Sequence, residues 1–122
     1  MVGYVTLGTN DHARALRFYD ELLGLLGAQR LMEFGPFVMW GTSMENACLA
    51  VTTPYDKKAA SVGNGVMVAL RATSKAQVDA IHGKALALGG SDEGAPGPRG
   101  DGFYAGYFRD LDGNKLNAFF IG

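Results

Sequence analysis

The 122-residue sequence predicts an α+β fold in which two paired βαβββ units form a curved mixed sheet around a cleft. Three observations carry that expectation. Segments that alternate between apolar and polar residues are each followed by an apolar stripe at helical spacing. The plan occurs twice: a shift of 63 positions carries Tyr4 to Met67, Val5 to Val68, Leu7 to Leu70 and Gly27 to Gly90, which marks an internal repeat. Short strand-like runs bounded by turn residues follow each stripe.

Taken in order, Val2 to Gly8 alternates, with Val5 and Leu7 on one side and Tyr4 and Thr6 on the other. Asn10 and Asp11 offer helix caps, Ala15, Leu16, Tyr19, Leu22, Leu23 and Leu26 recur at helical spacing, and Gly27 supplies a stop. Strands are expected at Gln29 to Phe34, Phe37 to Gly41 and Ala47 to Thr53. Residues 54–63 read as a linker, so the chain is expected to be a single domain over 1–122 with repeats at 1–53 and 64–122. In the second repeat Gly65 to Arg71 alternates, and Ser74 with Gln77 reads as a capping box. Val78, Ile81, Ala85 and Leu86 then form the helical stripe before Gly89-Gly90. Strands are expected at Phe103 to Arg109 and Lys115 to Ile121. Another belongs near Gly90 to Glu93, but GSDEGAPGPRGDG is so rich in Gly and Pro that a long mobile loop is expected over residues 94–102.

Eleven Lys and Arg against twelve Asp and Glu give a net charge of −1 and no basic face for nucleic acid. No apolar run approaches the roughly 20 residues that span a bilayer, and the opening MVGYVTLGTND has no basic stretch leading into an apolar one, so the expected location is cytoplasmic. The single cysteine, Cys48, has apolar neighbours and reads as a buried inert thiol.

The strings YVTLGTNDHARALRFYDELLGLLG, ALALGGSDEGAPGPRG and YFRDLDGNKLNAF, in this order within a duplicated plan, resemble the vicinal-oxygen-chelate superfamily of glyoxalase I, bleomycin-resistance proteins and extradiol dioxygenases. The resemblance covers nearly the whole chain. Its Asp turn, Asp110 to Asn114, is not an EF-hand, because the glycine comes at the fourth position and Ile121 occupies the bidentate Glu position; a hairpin connection is expected.

In enzymes of that superfamily a divalent metal is held by inward-facing His, Gln or Glu side chains. The resemblance places Tyr4 and Met67 at two of these positions, and aligning Asn46 with Asn114 places Leu49 and Asn117 at the other two. None of the four is a His or a carboxylate, whereas Zn, Ni, Mn or Fe sites want imidazole nitrogen and carboxylate oxygen. The expectation is therefore no metal and no cofactor. His12 and His82 are assigned to the outer helical layer as surface or helix-end residues.

The candidate ligand-binding residues are Tyr4, Thr6, Trp40, Leu49, Met67, Tyr104 and Asn117, with Phe37, Tyr107 and Phe119 on bordering strands and Arg99 as a candidate lid residue for an anionic or aromatic ligand. Such a lining suits an unidentified small molecule. The function expected is a metal-free small-molecule binding protein that sequesters a drug or metabolite, and a homodimer is implied by the resemblance. The alternative is a glyoxalase-like lyase or dioxygenase with a non-standard or absent metal site, and its Lewis-acid chemistry needs ligands this sequence lacks. Acid-base catalysis with Tyr4 as proton donor is a third class, for which no inward base is apparent.

Overall fold

Alternation in the first repeat produces β1 (Tyr4–Gly8), and the apolar stripe after it produces α1 (His12–Gly24); β2 (Gln29–Phe34), β3 (Phe37–Gly41) and β4 (Cys48–Thr52) follow. These belong to a computed structural model that describes residues 1–122, in which Met1–Val62 and Gly63–Gly122 form two units. The first sheet runs β1-β4-β3-β2, with β1 parallel to β4 and the other pairs antiparallel. A parallel pair requires a crossover, which the intervening helix and hairpin supply. Asp11 caps α1 by accepting from the Arg14 N–H, and the helix buries Ala15, Phe18, Tyr19, Leu22 and Leu23. Each large side chain so covered contributes roughly 1.5–3 kcal/mol. Gly27 ends the segment with a φ of 76°, a left-handed conformation that glycine adopts without steric penalty.

The second unit repeats the order: β5 (Val68–Arg71), α2 (Lys75–Ala87), β6 (Ser91–Pro98), β7 (Phe103–Arg109) and β8 (Lys115–Ile121), with sheet order β5-β8-β7-β6. β5 is parallel to β8, and the remaining pairs are antiparallel. Ser74 caps α2 by accepting from the Gln77 N–H, while Gln77 Oε1 reaches back to accept from the Thr73 N–H at 2.8 Å. The turn after this helix closes one residue earlier than the 63-residue shift implies, since Gly89 takes the left-handed φ of 101°.

The Gly/Pro-rich segment corrects the expected loop. β6 occupies Ser91–Pro98 and pairs with β7 through two register shifts, between Asp92 and Gly94 and between Gly94 and Gly97. An edge strand tolerates prolines and bulges because one row of its backbone groups needs no sheet partner. His82 is also corrected. It is 5% exposed on the inner side of α2, with Nε2 3.0 Å from Asp92 Oδ1 and its ring edge-on to Phe108. The Asp turn is the hairpin connection between β7 and β8. Asp110 Oδ1 accepts from the N–H groups of Asp112 and Asn114, and its Oδ2 accepts from Asn114 Nδ2.

Candidate functional site: the open sheet faces

Residues paired across strands share a sheet face, so the registers sort each sheet into a helix-facing and an open side. In the first unit Val5, Leu49 and Trp40 form one row, and Leu7, Val51 and Val38 the next. Both rows face α1, because the Trp40 ring meets Tyr19 and its Nε1–H donates to Asp20 Oδ1 at 2.9 Å. The open side carries Tyr4, Thr6, Cys48, Ala50, Met39 and Phe37. Met39, Cys48 and Ala50 form a buried apolar cluster with Leu31 and Phe37 beside it, and Tyr4, 55% exposed, rests its ring edge-on against Phe37. Cys48 is 7% exposed, with its thiol near the Asn46 carbonyl.

Two candidate residues of this unit therefore change place. Trp40 and Leu49 lie on the helix side, where their work is packing, and the open-face neighbours of Leu49 in β4 are Cys48 and Ala50. The pairings Val5 with Leu49 and Val68 with Leu116 make Ala50 the counterpart of Asn117. Tyr4 and Thr6 stand on the open face as expected from alternation.

In the second unit Val68, Leu70, Leu116, Ala118 and Phe108 pack towards α2. Tyr104 is on that side as well: its hydroxyl donates to Asp79 Oδ1 at 2.7 Å, and this bond to a carboxylate raises its pKa. The tyrosine on the open face is Tyr107. It lies directly opposite Asn117, and in the next row Phe119 lies between Arg71 and Ala105. Asn117 is 2% exposed, and its Oδ1 has no hydrogen-bond partner. Met67 precedes β5 and is 40% exposed.

Sequence reasoning passed over Arg71 and Lys115. Both fall at alternate positions in the strands that carry Ala69 and Asn117, which was the available signal. Arg71 lies 5.8 Å from the Phe119 ring centroid, and Arg99 and Lys115 lie 5.5 and 5.6 Å from that of Tyr107. The carboxylate on this side is Glu93, which is bonded to Arg109 and has its pKa lowered chiefly by that bond.

The two folds-within-a-chain and their sheet order define a paired βαβββ protein. The family model of the glyoxalase/bleomycin resistance protein/dioxygenase superfamily matches residues 1–118, and the chain belongs to that superfamily. A solved glyoxalase/bleomycin resistance protein from Albidiferax ferrireducens T118 is 36% identical with a TM-score of 0.90, over 98% of this chain and 97% of that one. Two further structures share the fold. One is a family enzyme from Burkholderia phytofirmans PsJN, at 18% identity and TM-score 0.77 over 98% of each chain. The other is a lactoylglutathione lyase from Agrobacterium tumefaciens, at 21% identity and TM-score 0.68 over 98% of this chain and 92% of that one. No curated protein matches the sequence.

The metal common in that superfamily does not fit these residues. The first unit offers the Tyr4 phenol, the Thr6 hydroxyl, the lone Cys48 thiol and apolar side chains, and the second offers the Met67 thioether, the Tyr107 phenol and the Asn117 amide. No group of three or more His, Cys, Asp or Glu side chains is placed to hold an ion. A divalent transition ion needs anionic or imidazole donors, which neutral Tyr, Met and Asn do not replace.

Proposed function

We propose that the protein binds a small organic molecule on the open face of its second sheet without a metal ion, in the manner of a sequestering protein. The observation that carries this reading is Asn117: a buried amide with an unpaired oxygen stands where the resemblance to the superfamily's enzymes implies a carboxylate ligand. A carboxylate without a cation would be a costly buried charge, whereas an amide can be satisfied by a neutral or donor-bearing ligand. Exposed thioether surface at Met67 adds apolar contact of the kind small-molecule sites use.

The lyase or dioxygenase reading requires polarisation of a substrate oxygen or activation of dioxygen at an ion, and the donor set weighs against it. Thermal-shift titration of chelator-treated protein with aromatic antibiotics, α-dicarbonyls and catechols tests the proposal. The expected result is a raised Tm for at least one class without added metal, with the compound recovered unchanged. A shift that appears only after a divalent ion is added, or turnover of the compound, contradicts it.

A further inference from the structure

Asn117 occupies the middle row of the second unit's open face, and its orphan Oδ1 needs a donor. A buried amide oxygen left unpaired is disfavoured, so a ligand O–H or N–H directed at it gains more than the same bond made in water. The rows on either side, each about one two-residue strand step or roughly 7 Å away, bring cations. Arg71 pairs with Phe119 in one, and Lys115 pairs with Arg109 in the other.

The charges on this face are unequal. Arg71, Arg99, Arg109 and Lys115 are answered by Glu93, which bonds Arg109 and interacts through space with Lys115. Arg71 and Arg99 have no carboxylate partner. Arg99 is held over Tyr107 by donating to the Ala95 carbonyl at 2.6 Å and the Pro98 carbonyl at 3.4 Å. A guanidinium beside a ring keeps the N–H groups not engaged by carbonyls for an anion. Phe103 and Phe119, stacked at 5.6 Å, add flat apolar surface in the same sheet.

Resting on the metal-free reading above, we propose that this face selects a planar organic anion that also carries an O–H or N–H donor, of the hydroxyaryl carboxylate class. The carboxylate is met by Arg71 or Arg99, the ring lies against Phe119 and Tyr107, and the hydroxyl donates to Asn117 Oδ1. Opposite ends of one benzene ring span the step between rows.

Amide-detected NMR titration of the metal-stripped protein with 4-hydroxybenzoate, benzoate, phenol and 4-hydroxybenzamide tests this. The expected order places 4-hydroxybenzoate first, with benzoate and phenol each roughly tenfold weaker and with shifts centred on Ala69, Tyr107 and Asn117. One of Arg71→Ala and Arg99→Ala, the one that removes the carboxylate's partner, should weaken both carboxylates and leave phenol unchanged; if neither does, the ligand class is overturned. Asn117→Leu should abolish the advantage of 4-hydroxybenzoate over benzoate; because Arg71 is exposed, its variant keeps the test decisive if the Asn117 variant does not fold. Phenol or 4-hydroxybenzamide binding as tightly as 4-hydroxybenzoate overturns the ligand class and leaves the metal-free reading standing. Binding of these probes only after Zn²⁺ is added contradicts both. Absence of shifts with all four probes up to their solubility limits overturns the ligand class.

Discussion

At Asp20 three side chains from different elements meet. Arg30 donates from Nε and Nη2 at 2.9 and 2.8 Å, and the Trp40 indole donates at 2.9 Å. The Arg30 bond is the largest cause of a lowered Asp20 pKa. A carboxylate whose folded pKa lies below its unfolded value contributes stability above the unfolded pKa and loses it as pH falls through the folded one. Asp20→Asn is therefore expected to destabilise the protein by about 1 kcal/mol near neutral pH, after allowance for solvent screening. Urea melts of variant and parent should converge in acid; a gap that widens as pH falls would contradict the assignment. The same cluster explains why Trp40 was misread from sequence. An aromatic in a strand reads as pocket lining or as core with equal ease, and only its partner on α1 settles the matter.

Strand faces were legible where one side is polar. β1 alternates, and Tyr4 and Thr6 fell on the face that alternation gave them. In β4 the residues Cys48, Leu49, Ala50 and Val51 are all buried, so no alternation marked the open side, and an alignment through Asn46 and Asn114 slipped by one residue. A one-residue slip turns every side chain to the other face. The strand expected near Gly90 to Glu93 is β6, and its extent was illegible for a different reason: its glycines and prolines, which read as loop, serve an edge strand with two bulges. Close approach of backbone makes the glycine just before β6 necessary. A Cβ on Gly90 would stand 2.6 Å from the Arg109 carbonyl oxygen and 2.8 Å from that of Ala85, neither of which can rotate away. Gly90→Ala is expected to cost about 1–3 kcal/mol by overpacking, measured by chemical denaturation, whereas Gly24→Ala, with nothing within 4 Å, should be neutral or slightly stabilising. Equal stabilities would show that the turn after α2 is looser than described.

For the chain as a whole, the duplicated plan was readable because two helices, each with its cap and its glycine stop, recur at a constant shift, and both sheets repeat one strand order. Superfamily membership followed from that plan, and the matching family model extends over residues 1–118. The chemistry was less legible, since it depends on which of two faces a side chain takes. Once the registers are known, the open faces hold phenols, thioethers, one thiol, an orphan amide and a group of cations, with no His and with Glu93 already engaged by Arg109. No helix is long and apolar enough to cross a membrane. The proposed function is binding of an organic molecule on the second sheet's open face through shape, aromatic surface and hydrogen bonds instead of through an ion. Elemental analysis of protein purified without chelators tests that most directly. No stoichiometric Zn, Ni, Mn or Fe is expected; one such ion per chain, lost in an Asn117→Ala variant, would contradict metal-free binding.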